Sequence, residues 1–240
     1  MPSFPRLLPC GDAAVTVEFG DSIDAAINAR VTALDRAVRE AELPGVVECV
    51  PTYRSLMVHL DPLTADHAAL YETLRGLAQK ARTHKSSTRR WTIPVVYGGE
   101  FGEDLEGIAE RHGMSQQEAV EIHAGAIYRV YMIGFMPGFT YLGGLDARLA
   151  TPRRPTPRKN VPAGAIAIGG AQASIGTAAS PSGWHLIGRT PVRCFDKERE
   201  SVVLFEVGDE VVFKPVPAAD WERLEVEVAA GARLATVDVQ

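Results

Sequence analysis

The 240-residue sequence has few cysteines, no long apolar run and no excess of positive charge. Its three cysteines, Cys10, Cys49 and Cys194, are far apart and form no Cys-x-x-Cys pair, so neither a disulfide framework nor a thiol redox motif is indicated. No segment approaches the roughly 18 apolar residues of a membrane-spanning helix, and the N-terminal stretch lacks the apolar region of a signal peptide. The sequence therefore predicts a cytoplasmic protein with reduced thiols.

The charge balance excludes a second group of functions. A formal net charge of -5 provides no overall field that would attract nucleic acid or an anionic membrane. We therefore expect neither as a partner, and any anion binding has to be local. Hydrophobic residues make up 46% of the chain, which is enough for one large domain or two smaller ones.

Several motifs of common enzymes are also missing. The sequence contains no Gly-x-x-x-x-Gly-Lys-Ser/Thr loop, no Gly-x-Gly-x-x-Gly between a strand and a helix, and no Gly-x-Ser-x-Gly elbow. Its six histidines include no pair at the spacing of one helix face and no Cys/His cluster, so we expect no metal site. The chain by itself therefore carries no recognisable nucleotide site.

The first third of the chain alternates strand and helix patterns. Apolar residues alternate over 14–19 and recur at three- and four-residue steps over 23–41, behind Asp21 and Ser22 as helix caps. Strand patterns follow over 45–61 and a second helix over 64–82. This order predicts an α+β fold in which both helices lie on one face of an antiparallel sheet.

A domain boundary is predicted by the segment "RTHKSSTRR", which resembles a linker more than any other stretch. We divide the chain into an N-terminal domain, 1–85, and a second domain, 86–240. In the second domain, "WTIPVVYGG" predicts a strand broken by Pro94. One or two helices follow between 104 and 125, with Ser115 and Glu118 at the spacing of a capping box.

The rest of the chain has an all-β pattern. Short apolar segments such as "AIAIGG", "WHLIG", "SVVLFEVGDEVVFKPV" and "LEVEVAAGARLATVDV" are separated by turn residues at close intervals. This pattern favours a barrel or sandwich, into which the helices near 104–125 are inserted or over which they form a lid.

A stretch rich in glycine, proline and arginine follows the predicted helices. Five cations fall within twelve residues, namely Arg148, Arg153, Arg154, Arg158 and Lys159, and prolines between them keep the backbone extended. The planar guanidinium fork suits a carboxylate or a phosphate. The alternative is a solvated basic loop whose arginines form ordinary surface ion pairs.

Glycines on both sides of this basic segment favour an anion site. Gly138 in "GFMPGF" and Gly170 in "IGGAQ" could turn the backbone so that amide N–H groups face a ligand, and Gln172 adds a side-chain amide. Trp184 is a candidate for stacking on a ligand, although a core or interface position is the alternative.

His123 precedes this region at the end of a predicted helix. Its imidazole could act as a general acid or base. It could equally serve as a helix C-terminal cation, because Gly125 ends the helix just after it.

These segments also carry a resemblance. "IHAGAIYRVYMIGFMPGFTYLGGL", "LATPRRPTPRKNVPAGAIAIGGAQ" and "SPSGWHLIGRTPVRCFD" resemble the family that includes the 5-oxoprolinase subunit PxpB, the kinase inhibitor KipI and allophanate hydrolase subunit 1, the C and D part of a carboxyltransferase domain. The resemblance runs from about residue 5 to about 215. It implies an α+β domain followed by a cyclophilin-like β-barrel, and an active site completed by a KipA/PxpC-type partner, with a LamB/YcsF-type third subunit in the 5-oxoprolinase assembly.

The resemblance implies, first, a subunit of an ATP-dependent amidohydrolase that opens 5-oxo-L-proline to glutamate and is inactive without its partners, with ATP used by the complex. Within it, Arg154 and Arg158 would stabilise anionic charge and His123 would carry a proton. Gly138, Gly170, Gln172 and Trp184 would bind the small acidic substrate. The alternatives are an allophanate hydrolase or urea carboxylase subunit, and a KipI-like inhibitor of a sensor histidine kinase.

The sequence departs from the family pattern at one place. Where the family usually reads Gln-Thr-Gly-Ile-Tyr-Pro and Ser-Pro-Gly-Gly-Trp, this chain has Gly176 and Thr177 in place of the tyrosine and proline, and Ser182 in place of a glycine. If that tyrosine packs on substrate, the smaller wall here would change substrate choice or weaken activity.

Overall fold

The computed structural model describes residues 3–81 and 89–239. The chain divides into two compact units, Met1–Ser86 and Ser87–Gln240. The domain boundary predicted between residues 85 and 86 falls in the segment 82–88, which lies outside the described residues.

The first unit is a four-stranded antiparallel sheet with two helices. Its elements are β1 (Arg6–Pro9), β2 (Ala14–Glu18), α1 (Ala25–Ala41), β3 (Val46–Pro51), β4 (Ser55–Leu60) and α2 (His67–Lys80). The strand order is β1-β2-β4-β3, and both helices pack on the same apolar face of the sheet. The predicted two-layer α+β domain is therefore confirmed. Asp24, rather than Asp21 or Ser22, caps α1 by accepting from two backbone amides.

The second unit is a closed β-barrel with three helices. Its helices are α3 (Leu105–Arg111), α4 (Gln116–Gly125) and α5 (Trp221–Ala229). Its strands are β5 (Arg89–Tyr97), β6 (Tyr128–Ile133), β7 (Thr140–Gly143), β8 (Arg158–Val161), β9 (Ala165–Gly169), β10 (Gln172–Ile175), β11 (Ser180–Ser182), β12 (His185–Arg189), β13 (Glu210–Pro215) and β14 (Thr236–Val239). Seven strands run in the order β12-β9-β10-β7-β6-β13-β5, and pairing of β12 with β5 closes the ring. This closure confirms the predicted barrel.

Pro94 does not break β5, contrary to the sequence-based prediction. The strand runs through it and pairs in parallel with β13. On its other side, β14 pairs with residues up to Thr92 and β12 pairs from Val96 onward. Pro94 thus lies in the gap between two partners, where its missing N–H leaves no ladder bond unmade.

The segment "LEVEVAAG", predicted as a strand, belongs to α5. Its alternating Glu and Val residues suggested a period of two. In the structure Trp221 and Leu224 are buried, whereas Val226 is 68% exposed. The buried side chains are three residues apart, so they share one helix face. Of the segment predicted as β over 201–216, the described strand is β13, preceded by an isolated bridge between Phe195 and Val203.

The two helices between 104 and 125 cover part of the barrel. Ser115 caps α4 by accepting from the Glu118 amide at 3.1 Å, as the capping-box spacing predicted. Helix α4 packs against β13 and α3 packs against β12. Gly102, just before α3, approaches β12 so closely that a Cβ on it would lie 2.1 Å from the Ile187 carbonyl oxygen.

We expect Gly102→Ala to lower the free energy of unfolding by about 3 kcal/mol, because the added methyl group meets backbone that cannot move without opening the barrel. Gly107→Ala is the matched control. Gly107 lies five residues away on the exposed face of α3 with open space around its Cβ position, so alanine there should stabilise the protein by roughly 0.5 to 1 kcal/mol. Urea unfolding of both variants measures the difference, and equal effects would contradict the close approach.

Candidate functional site

The carboxylate of Asp104 joins three segments that are far apart in the sequence. Arg158 donates to both of its oxygens at 2.7 and 2.8 Å, and Arg154 donates to Oδ1 at 2.9 Å. The backbone amide of Leu186 donates to Oδ2 at 2.7 Å, and the Asp104 amide donates back to the Leu186 carbonyl at 2.9 Å. The basic loop, residues 152–158, is thereby tied to the start of α3 and to β12.

The charges around Asp104 keep it ionised. Burial by itself would raise the pKa of this carboxyl group, but the hydrogen bonds from Arg158 and Leu186 and the charges of Arg158 and Arg154 outweigh burial and lower the pKa. The same contacts raise the pKa of Arg158, chiefly through its hydrogen bond to Asp104. The cluster is therefore fully charged at neutral pH.

Further contacts fix the basic loop and set the direction of Arg153. The Arg154 amide donates to the Gly183 carbonyl at 2.7 Å, and His185 Nε2 lies 2.9 Å from the Pro152 carbonyl oxygen. Neighbouring side chains on extended backbone point to opposite sides. Arg154 turns inward to Asp104, and Arg153 turns outward, with its guanidinium carbon 5.4 Å from the centre of the Trp184 ring.

A cavity of about 200 Å³ lies beneath Arg153. One wall is a row of aromatic rings. Phe135 and Phe139 meet edge to face at 5.6 Å, Phe139 and Tyr141 are 4.8 Å apart, and Tyr141 and Trp184 are 6.0 Å apart between ring centres. Rings in this arrangement offer a flat apolar surface to a small ligand.

The turn that carries Phe135 and Phe139 is held in an unusual conformation. Phe135 has φ +67°, a left-handed value that is rare for an aromatic residue, and its side chain is 65% exposed. Gly138 also has a positive φ, and a Cβ on it would lie 3.0 Å from the Phe195 Cβ. Strain of this kind persists where surrounding bonds fix the backbone, and it accompanies binding sites.

Small and hydroxylated residues form the rest of the cavity. Ala165, Ala167 and Gly176 leave space, and Ser174 and Ser182 bring hydroxyl groups to the lining. The Ser182 hydroxyl accepts from the Trp184 amide at 3.1 Å, so it also positions the tryptophan. Gly176 and Ser182, two of the residues that depart from the family pattern, thus both line the cavity.

Arg153 gives the cavity a positive charge. Among the described residues it forms no ion pair, unlike Arg154 and Arg158. Tyr141 does not neutralise it, because burial raises the pKa of the Tyr141 phenol more than the charge of Arg153 lowers it. The cavity therefore combines one available cation, an aromatic wall and hydroxyl groups.

The structure places the sequence-predicted site residues in different surroundings. Of these residues, Trp184 lines the cavity, and Gly138 supports the turn beside it. The Gly170 amide donates to the Thr151 carbonyl at 2.7 Å, so it is already used within the protein. Gln172 lies half-buried at the start of β10, opposite Gly169, outside the cavity lining.

His123 lies in the barrel core rather than at the cavity. Its side chain is 1% exposed and stacks on Phe213, and its Nδ1 lies 2.8 Å from the Tyr97 hydroxyl. Burial lowers the pKa of His123 to about 3, so the ring is neutral at physiological pH. A proton carrier needs access to its substrate, and this position offers none. Neither does the ring serve as a C-terminal cation for α4.

Sequence reasoning selected Arg154 and Arg158 but missed Arg153. All three belong to the same basic stretch, and residue type alone does not separate them. The distinguishing signal is the alternation of side chains along an extended backbone, which sends Arg153 and Arg154 to opposite sides. Phe135, Phe139 and Tyr141 were interpreted as core or interface residues or were not singled out, because aromatic residues are more often buried for packing.

Two general searches of the described residues 3–81 and 89–239 complete the survey. No group of three or more His, Cys, Asp or Glu side chains there is arranged to hold a metal ion. No helix in the same ranges combines the length and apolar character needed to cross a membrane.

Comparison with known proteins gives a consistent family assignment. Residues 5–205 match the family model described as carboxyltransferase domain, subdomain C and D. The chain is 36% identical over 228 residues to a 5-oxoprolinase subunit of Bacillus subtilis (strain 168), covering 90% of this chain and 95% of that protein. It is 44% identical over 168 residues to the 5-oxoprolinase subunit of the same name in Haemophilus influenzae, covering 70% of this chain and 78% of that protein.

A solved structure shows the same fold in a longer protein. The urea amidolyase of K. lactis superposes with a TM-score of 0.86 at 20% identity, covering 98% of this chain and 16% of that chain. At this identity the likeness shows the fold alone.

We expect Asp104→Asn to lower the free energy of unfolding by about 2 kcal/mol at pH 7. Two arginines lose their charged partner, and the loss is smaller than for a fully buried pair because both arginines reach solvent. The pKa of Asp104 is lowered by folding, so its stabilisation is complete above the unfolded pKa of about 4 and disappears as the pH falls through the folded pKa. The difference between wild type and variant should therefore shrink in acid.

Urea unfolding at pH 7, 4 and 3 measures this trend. Asp146→Asn is the control, because the Asp146 pair with Arg148 is exposed and should contribute almost nothing. A difference between wild type and Asp104→Asn that is constant with pH would contradict the ionised cluster.

Proposed function

The chain belongs to the family of carboxyltransferase-domain subdomains C and D, and from this premise we propose that it is a subunit of an ATP-dependent 5-oxoprolinase. In this assembly 5-oxo-L-proline is hydrolysed to L-glutamate. The proposal is supported by the two relatives named as 5-oxoprolinase subunits, which align with this chain over most of their own length.

The single observation that carries the proposal is the chemistry of the aromatic cavity. 5-Oxoproline is a small five-membered lactam with one carboxylate. Arg153 supplies one unpaired cation for that carboxylate, and the aromatic wall suits the flat ring. The hydroxyl groups of Ser174 and Ser182 add hydrogen-bonding capacity near the amide edges.

The cleavage chemistry is assigned to the whole assembly. A lactam amide is stabilised by resonance, so its opening is coupled to ATP through a phosphorylated carbonyl. The sequence contains no phosphate-binding loop of the common types. We therefore assign ATP to the partners, a KipA/PxpC-type and a LamB/YcsF-type subunit, and substrate holding to this chain.

The roles of the predicted arginines change in this proposal. Arg154 and Arg158 both bind Asp104, so they act as positioning residues that hold the basic loop over the cavity. Arg153 replaces them as the residue that touches the substrate carboxylate. His123 contributes to the barrel core, and the proton carrier is supplied elsewhere in the assembly.

We expect turnover of 5-oxoproline only when this chain, its partner subunits and ATP are present together. Release of ADP and glutamate is measured with the purified assembly, and each component is omitted in turn. Turnover of allophanate or urea in place of 5-oxoproline would instead favour the carboxyltransferase activity of the urea-metabolising relatives. Tight binding of a sensor histidine kinase by the chain alone, with no turnover, would favour a KipI-like inhibitor.

We expect Arg153→Ala to lower kcat/KM for 5-oxoproline by about 10- to 100-fold in the same assembly, because a hydrogen bond to a charged group is worth about 1.5 to 3 kcal/mol. Arg153→Lys should recover part of the loss, since it keeps the charge without the fork. Arg148→Ala is the matched control, because Arg148 is exposed and already pairs with Asp146. An unchanged kcat/KM in Arg153→Ala would remove Arg153 from the substrate site.

A further inference from the structure

A second cavity lies in the barrel unit, apart from the aromatic cavity. Its volume is about 430 Å³, and it shares no lining residue with the first. It is formed by the start of β5, by the segment 192–204 and by the connection from α5 to β14. No role in the proposed 5-oxoprolinase activity uses it.

The floor of this cavity is apolar. Trp91, Leu204 and Leu234 line it, and all three also pack against the barrel core. Val192 and Val237 extend the same apolar surface. A ligand seated here would therefore bury an apolar body against a floor supported from below.

The rim of the cavity carries an uncompensated positive charge. Arg193, Arg199 and Arg233 line it and form no ion pair within the described residues, whereas Asp196 and Glu198 contribute two carboxylates. Arg89 also lines it, but Asp209 and Glu206 already neutralise that guanidinium. Three arginines against two carboxylates leave a local charge of about +1.

Arg199 has hydrogen-bonding capacity that the protein does not use. Its Nε is buried and has no acceptor among the described residues, and its terminal nitrogen reaches the Val202 carbonyl oxygen at 3.3 Å. A buried donor without a partner is unfavourable. Arg193 and Arg233 make no side-chain hydrogen bond within the described residues and are exposed, so both can turn toward a ligand.

We propose that this cavity binds a monoanion with an apolar body, of the class of aromatic or medium-chain carboxylates. The apolar floor takes the body, and Arg193, Arg199 and Arg233 take the anionic group. A nucleoside triphosphate would bring more negative charge than the rim can balance. 5-Oxoproline has too little apolar surface to use the floor.

The test compares two fluorescent probes that differ in charge. 8-Anilinonaphthalene-1-sulfonate carries an aromatic body and one negative charge, and N-phenyl-1-naphthylamine has the same type of body without the charge. We expect one sulfonate probe per chain, displaced by octanoate. The double variant Arg193→Ala/Arg233→Ala should bind it at least tenfold more weakly while binding of the neutral probe stays unchanged, and added salt should weaken the charged probe alone.

Two arginine variants serve as controls. Arg223→Ala removes an exposed arginine of α5 that already pairs with Asp220 and Glu227, and Arg153→Ala removes the cation of the aromatic cavity. Both should leave sulfonate binding unchanged. Sulfonate binding that is absent, is insensitive to Arg193 and Arg233, or is lost in Arg153→Ala would overturn the proposal. None of these outcomes depends on turnover of 5-oxoproline, so the proposed function is tested separately.

Discussion

The ion-pair cluster at Asp104 is the contact on which the candidate site depends. One carboxylate, 10% exposed, accepts hydrogen bonds from two guanidinium groups and one backbone amide. Taking so many charges partly out of water is favourable only when their geometry satisfies them, and here each oxygen of Asp104 has two donors. The cluster holds in place a proline-rich loop that has no regular structure of its own before β8.

The fixed loop gives the aromatic cavity its polar side. With Arg154 turned to Asp104, the preceding residue Arg153 has to face outward over Trp184. The opposite wall is fixed in a different way, by a turn in which Phe135 adopts a left-handed backbone conformation. Both walls are therefore rigid before a ligand binds, which lowers the ordering cost of binding.

The two cavities of the barrel unit differ in chemistry although they share one scaffold. The smaller combines one cation with stacked rings, and the larger combines an apolar floor with several arginines. Both are lined mainly by segments outside the central strands of the barrel. A fold of this type therefore fixes a closed core and leaves specificity to the loops, which is why likeness of fold to urea amidolyase does not decide the substrate.

The sequence by itself determined the elements whose signal is local. The apolar period of α1, the capping box of Ser115 and Glu118 and the glycine-rich turns are set by neighbouring residues, and the family motifs indicated the barrel. Tertiary structure decided whether Pro94 interrupts a strand, whether "LEVEVAAG" is a helix, and which arginine of the basic stretch stays free. Each of these depends on a partner far away in the sequence or on which face is buried, because hydrogen bonds, burial and ion pairs are settled only when distant segments meet.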